Sequence, residues 1–388
     1  MSVRTRDSLG SRAAIAGIGA TDFSKDSGRS ELTLAVEAVH AALDDAGLVP
    51  ADVDGMVTFT MDTSPEITVA QAAGMGELSF FSRVHYGGGA ACATVQQAAL
   101  AVATGVAEVV VCYRAFNERS GRRFGSGVQQ REPSAEGAAL GWQLPFGLLT
   151  PASWVAMIAQ RYLHTYGLTP DAFGHVAVTD RRHAATNPAA YFYGKPITLD
   201  DHAASRWIAE PLRLLDCCQE TDGGQAIVVT STERARDLRR PPAVIEAAAQ
   251  GAGRNQEAMT SFYRDGLTGL PEMGVVARQL WRTSGLAPGD IDVGILYDHF
   301  TPFVLMQLEE FGFCGKGEAA DFVAADALPL NTHGGQLGEA YLHGMNGIAE
   351  AVRQLRGTSV NQIPGAARTL VTAGTGVPTS GLILGTDG

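Results

Sequence analysis

From residue 13 onward, short apolar runs alternate with stretches of helical period. Residues 13–18 form a run of small apolar side chains that predicts a buried strand, with a Gly-rich turn at Gly17 and Gly19. Over 31–46, Leu32, Val36, Val39 and Leu43 share one face at helical spacing, and Gly47 supplies the stop. The same grammar predicts strands over 53–59, 80–86 and 108–113, and helices over 67–73 and 90–104. Strands that are apolar throughout need cover on both faces, so the pattern implies an α/β architecture with helices on either side of the sheet.

The middle of the chain breaks this rhythm. Two helices are expected over 153–166 and 170–187, and around them lie irregular segments rich in aromatics and proline, including Tyr191, Phe192, Tyr193 and Trp207. The region 114–222 therefore reads as an insertion packed over the sheet, and strand character returns over 225–230. The opening pattern then recurs. Gly47, Leu48, Pro50, Asp52 and Asp54 correspond in order and spacing to Gly285, Leu286, Pro288, Asp290 and Asp292. Each copy follows an amphipathic helix (31–46; 275–284) and precedes an apolar strand (53–59; 293–297). The repeat implies an internally duplicated α/β fold. Residues 1–113 plus 223–240 make the first half, 114–222 the insertion and 241–388 the second half, with helices expected over 302–311 and 338–355 and strands over 370–373 and 381–384. Two βαβαβαββ halves stacked face to face give five layers, α-β-α-β-α.

Composition narrows the function. Of the 388 residues, 45% are hydrophobic and 18% charged, which supports a large core and excludes disorder. The net charge of -12 comes with no basic stripe, so nucleic acid is a poor partner. One short Arg-rich stretch, Arg119, Arg122, Arg123 and Arg131, is interrupted by Glu118 and Glu132 and reads as a solvated loop or a seat for an anionic group. The five cysteines show no zinc spacing and no CxxC, which suits reduced thiols in a cytoplasmic protein. The longest uncharged run, 84–107, contains Gly87, Gly88, Gly89 and Gly105 and reads as strand, loop and helix, not as a membrane span.

Gly-rich segments lie where strands end: Tyr86 to Cys92, Tyr297 to Thr301, Asn331 to Gly335 running on to Glu339 through Gly347 with Tyr341 and His343, and Ala373 to Pro378. Loops at the carboxyl ends of strands are where open α/β sheets build sites. In order and spacing, GVAE at Gly105, DGGQA at Asp222, YDHFT at Tyr297 and the NTHGG and HGMNG blocks resemble the thiolase superfamily in its sterol-carrier and lipid-transfer branch, over nearly the whole chain. The resemblance implies the thiolase fold. It also exposes departures. The nucleophilic-cysteine slot, counted back from Gly105, falls at Gly88 or Gly89, and Cys92 lies about one turn into the helix. The late cysteine is missing from 370–376. Tyr297 and Tyr341 stand in two of the family's functional slots.

This combination is similar to the actinobacterial lipid-transfer-protein aldolases of steroid side-chain degradation. That likeness implies retro-aldol cleavage of a 17-hydroxysteroid side-chain CoA thioester to a 17-ketosteroid and propionyl-CoA. It implies no cofactor beyond the CoA carried by the substrate, an OB-fold DUF35 partner domain of an enoyl-CoA hydratase, and a homodimer of this chain. Retro-aldol chemistry needs a base, an acid and a stabilised enolate, with no nucleophile. Tyr297 is expected to take the hydroxyl proton and Tyr341 to return one to carbon, or the reverse. A Tyr base needs a depressed pKa, for which His299, His333 and His343 are the local candidates. Asp298, His299, His343 and Gly376 are expected to orient groups or form the oxyanion site, and Gly88, Gly89, Cys92 and Tyr193 to contact substrate. Two other functions stand beside the aldolase at this stage: a thiolase or acyltransferase using Cys92, and a non-catalytic scaffold that binds a sterol or acyl-CoA.

Overall fold

The computed structural model describes residues 10–121, 123, 125, 135–141, 143–257 and 260–387. In chain order the strands are β1 (Ala13–Ala20), β2 (Gly55–Phe59), β3 (Phe80–Val84), β4 (Val109–Asn117), β5 (Trp207–Ala209), β6 (Leu212–Arg213), β7 (Asp222–Ser231), β8 (Ala243–Gly251), β9 (Val293–Ile295), β10 (Arg368–Ala373) and β11 (Thr379–Thr386). The nine long-range strands form one hydrogen-bonded run in the order β3-β2-β4-β7-β1-β8-β11-β10-β9, and β5 pairs with β6 alone.

The run is two copies of one topology joined back to back. From the outer edge, β3, β2 and β4 are parallel, β4 and β7 are antiparallel, and β7 pairs antiparallel with β1. The second half repeats this: Leu330 bridges in parallel to Gly294 of β9, β9 is parallel to β10, β10 and β11 are antiparallel, and β11 pairs antiparallel with β8. The halves meet where β1 pairs with β8, at Ala14–Val244 and Ile15–Ala243.

The sequence repeat has a physical cause. Gly47 (φ 78) and Gly285 (φ 76) end equivalent helices in the left-handed region, which glycine enters without a Cβ penalty. Asp52 accepts the Val49 N–H at 2.8 Å and Asp290 the Ala287 N–H at 2.8 Å, each pinning a single 3-10 turn. Asp54 accepts the Glu108 and Val109 N–H groups at the start of β4, and Asp292 accepts those of Ala367 and Arg368 at the start of β10.

Three apolar clusters define the layers. The helix Glu31–Ala46 packs Leu34, Val39 and Leu43 on Val109, Val111 and Val228. The helices Ala91–Ala103 and Met345–Arg356 lie between the half-sheets, with Val95, Ile348 and Val352 against Val57, Val110 and Ile227 on one side and Ile295, Val371 and Leu382 on the other. The helices Pro271–Ser284 and Thr301–Phe311 close the last layer over Leu370 and Ile383. This is the five-layer arrangement expected from the duplication.

The structure departs from the sequence pattern in three places. The helix expected over 338–355 is broken: Gly335–Gly338 forms one turn, His343 (φ 54) and Gly344 (φ 86) reverse the chain, and a new helix runs over Met345–Arg356. Two successive left-handed residues cannot continue a right-handed helix. The strand Ala243–Gly251 is not marked by the sequence pattern, because Ala247, Ala248 and Ala249 carry helical propensity and no β signal. Finally, β4 runs past residue 113 to Asn117, which puts Arg114 inside a strand. Between β4 and β7 the helices Pro151–Tyr166 and Asp171–Thr186 form, while Arg122, Arg131 and Glu132 lie outside the described residues. Among the described residues no helix is long and apolar enough to cross a membrane.

Candidate active site

Four loops converge on a cavity of about 970 Å³, a size that suits a drug-sized ligand or larger. Gly88 and Gly89 enter from ahead of the helix Ala91–Ala103, Tyr297 and His299 from the end of β9, Tyr341 and His343 from the turn before Met345–Arg356, and Gly376 from the β10–β11 connection. Trp154, Phe192, Ile197, Ile208 and Leu214, all from the region between β4 and β7, add an apolar wall. Seven of the ten residues singled out from sequence therefore share one cavity.

Two tyrosines are at its centre. The Tyr297 and Tyr341 hydroxyls are 3.2 Å apart, one donating to the other. Tyr297 is held at three points. Its N–H donates to Thr372 Oγ1 at 2.9 Å, and its carbonyl accepts from Gln307 Nε2 at 2.8 Å. Its ring lies against Gly344, where an added Cβ would come within 3.0 Å. Tyr341 is anchored through its N–H to Thr221 Oγ1 at 2.8 Å. The nucleophile slot itself is filled. A Cβ on Gly88 would lie 1.8 Å from the Tyr297 hydroxyl oxygen, so the phenol occupies the space a side chain there would take. Gly89 is closed the same way by the Pro378 carbonyl, at 2.0 Å from its would-be Cβ.

The electrostatics differ from the sequence expectation. Burial holds the Tyr297 phenol well above its ordinary range, partly offset by the hydrogen bond with Tyr341, and burial raises Tyr341 likewise. The three histidines supply no cation. Burial lowers His299 to about 3 and His343 well below its usual value, with Arg114 next in weight for His343. His333 is also lowered by burial, and it lies behind the cavity against Glu339. Among the described residues no cation hydrogen-bonds either phenol.

The remaining expected residues sit outside the cavity wall. Cys92 is fully buried between the half-sheets, its thiol donating toward the Val371 carbonyl at 3.7 Å, and burial pushes its pKa far up. A helix turn rotates it away from the loops, so the substrate contact expected for it is not formed. Tyr193 is 54% exposed and does not line the cavity; its neighbour Phe192 does. Asp298 acts as a cap, accepting the Gln336 and Leu337 N–H groups at 2.8 and 3.0 Å. Behind it, burial and the neighbouring Asp298 raise Asp180 well above the carboxylate range, so Asp180 keeps its proton and shares it with Asp298.

Asp180 also sets a stability prediction. Its folded pKa exceeds its unfolded value, so the native state loses stability as pH rises from about 4 toward the folded pKa. Asp180→Asn keeps a donor for Asp298 and removes that loss. Its Tm should match the parent near pH 4 and exceed it by about 2–5 °C at pH 8, read by differential scanning calorimetry. A pH-independent difference would contradict the shared proton.

Sequence reasoning missed two residues here. Glu118 is buried on the cavity wall, its carboxyl held well above its ordinary range by desolvation and then by Glu220. Arg114 is 1% exposed, pairs with Asp62 at 2.8 Å and donates from Nε to His343 Nδ1 at 3.1 Å. No local pattern marks either one, because their partners come from distant parts of the chain.

Residues 253–386 match the family "Thiolase C-terminal domain-like". The chain is 70% identical over 383 residues to the steroid side-chain-cleaving aldolase of Thermomonospora curvata, covering 97% of this chain and 98% of that protein. It is 69% identical over 386 residues to the 17-hydroxy-3-oxo-4-pregnene-20-carboxyl-CoA lyase of Mycobacterium tuberculosis, covering 97% and 100%. Among solved structures, the Ltp2-ChsH2(DUF35) aldolase superposes with a TM-score of 0.94 at 68% identity, covering 98% of this chain and 99% of the other.

Proposed function

The chain belongs to the thiolase-fold aldolases that cleave steroid side chains, and from that premise we propose that it performs retro-aldol cleavage of a 17-hydroxysteroid side-chain CoA thioester. The products are a 17-ketosteroid and propionyl-CoA. The observation that carries the reading is the Tyr297–Tyr341 hydroxyl pair, 3.2 Å apart over a glycine in the nucleophile slot.

The reaction balances within the substrate. The bond from C17 to the side chain breaks, and its electrons pass into the thioester as an enolate. The C17 hydroxyl loses a proton and the α-carbon of the departing thioester gains one. Two phenols with raised pKa values are scarcely populated as phenolates, but they form a neutral relay. Tyr297 accepts the hydroxyl proton as its own passes to Tyr341, and Tyr341 protonates carbon. The protein's charge is unchanged at the end. No acyl-enzyme and no free CoA enter, which agrees with the inward-facing Cys92 thiol. Substrate and phenols supply every proton and electron pair, so no cofactor is needed.

The solved Ltp2-ChsH2(DUF35) aldolase supports the partner reading, in which a DUF35 domain, that of an enoyl-CoA hydratase, docks on this chain. Homodimerisation is supported by β3, which among the described residues is an edge strand paired with β2 alone and carries Phe81 at 69% exposure. A cytoplasmic setting fits the unpaired thiols.

The deciding assay offers a 17-hydroxysteroid propionyl-type CoA thioester in buffer without free CoA, with and without the DUF35 partner. Release of a 17-ketone and propionyl-CoA is the expected result. Product that appears only after free CoA is added would replace this reading with a thiolase.

A further inference from the structure

A neutral imidazole has one donor nitrogen and one acceptor nitrogen, and the partner of one decides the state of the other. His343 Nδ1 lies 3.1 Å from Arg114 Nε. A guanidinium only donates, so Nδ1 accepts and the ring proton sits on Nε2. Nε2 faces the opposite way, 3.6 Å from a Cβ placed on Gly87, on the cavity wall. The ring is clamped: Phe116 stacks on it at 5.2 Å and 15°, and Tyr341 meets it edge-on at 5.0 Å. Its φ of 54 turns it into the site instead of along a helix.

Arg114 is itself buried and does not line the cavity. It is 1% exposed, its Nη1 is 2.8 Å from Asp62 Oδ1, and its guanidinium lies 4.0 Å over Phe116. Asp62 is in turn held by Thr58 Oγ1 at 2.7 Å. An ion pair this deep costs desolvation and is a poor source of stability. Its placement behind an imidazole that faces substrate gives it another role.

We propose that Arg114 is a positioning residue that holds His343 as its Nε2–H tautomer, so that the imidazole donates a hydrogen bond to the thioester oxygen as charge gathers there during C–C cleavage. This rests on the retro-aldolase reading of the cavity. The tyrosine pair is committed to the two proton transfers, and the enolate oxygen still needs a fixed donor. His343 supplies one that does not ionise. Among the described residues, the charged and titratable groups facing it include the Arg114–Asp62 pair from β4 and the loop after β2, His299 from the loop after β9, and Tyr297 and Tyr341 beside it. The phenols and His299 are neutral at working pH, and the ion pair's charges cancel.

The test uses the full chain with its DUF35 partner, labelled with [15N]histidine, and His343→Asn assigns the signal. The wild type should show a single Nε2–H tautomer that does not titrate between about pH 5.5 and 9. In the double variant Arg114→Met/Asp62→Asn, which removes both charges together, both tautomers and a titration should appear. The kcat should fall by about 100-fold with KM within about threefold, and a new acidic ionisation should enter the kcat profile. If the double variant does not fold, Arg114→Lys keeps a cation for Asp62 while withdrawing Nε, and the same readouts apply. An Nδ1–H tautomer in the wild type, or an unchanged tautomer and kcat in the variants, would overturn the proposal. If the wild type fails to cleave the steroid thioester while the tautomer result holds, the retro-aldolase reading falls and the Arg114–His343 lock stands.

Discussion

Tyr297→Phe should lower kcat for steroid-thioester cleavage by about two to four orders of magnitude, with KM changed little. Phe keeps the ring against Gly344 and leaves both backbone hydrogen bonds, to Thr372 Oγ1 and from Gln307 Nε2, in place. What disappears is the hydroxyl that donates to Tyr341 and that the proposed relay places between it and the substrate. Tyr341→Phe should behave alike, because a relay fails when either member is removed. The double variant should then cost no more than a single one, since the two act as a unit. The pH profile separates the relay from a phenolate base. Both phenols are raised by burial, and His299 and His343 stay neutral, so kcat should be flat from about pH 6 to 9. A rate that climbs tenfold per pH unit across that window would instead identify a phenolate. Near-parental activity in both single variants would remove the tyrosines from the mechanism.

Gly88→Ala should be almost as damaging, through a single methyl group. The added Cβ would sit 1.8 Å from the Tyr297 hydroxyl oxygen. Tyr297 has little room to retreat, because its backbone is bonded on both sides and Gly344 closes the other face of its ring. The phenol must therefore swing away from Tyr341. Misplacing a reacting group by about 1 Å costs on the order of 100-fold in rate. The expected result is a kcat lowered by about 100-fold with the far-ultraviolet circular dichroism unchanged. Gly88→Cys restores the residue type that the thiolase resemblance expects in that slot, yet it should yield neither thiolase nor aldolase activity, because the same clash remains. Parental kcat in Gly88→Ala would show that the Tyr297 hydroxyl does no work at that position.

Much of this molecule is legible in its sequence. The helix over Glu31–Ala46 appears where its apolar face and Gly47 put it. The two turns that share Gly, Pro and Asp positions predict the duplicated halves, and Asp54 and Asp292 show why the repeat persists: each caps the start of an inner strand. The loss of both cysteines and the tyrosines in two other functional slots are visible as well, because motif slots are positions along a line.

Other features were not legible, for a common reason. His343 and Tyr341 reach the site only because the chain reverses at His343 and Gly344, where an apolar run suggested a continuing helix. Cys92 and Tyr193 sit near site residues in sequence but face the core and the solvent, since a rotation of one helix or loop position changes what a side chain meets. The protonation states were further out of reach, and the cations expected to activate a tyrosine proved to be neutral imidazoles.

The sequence by itself determined the order of elements, the doubling of the fold, the glycine at the nucleophile slot and the tyrosines in two other functional slots, because these depend on local periodicity and residue identity. Only the tertiary structure decided that Tyr297 fills the space over Gly88, that its hydroxyl meets Tyr341, and that Asp62, Arg114 and His343 form one line. Those contacts join residues far apart in the chain, and the shifts that set their chemistry come from desolvation, which depends on what surrounds a group in space.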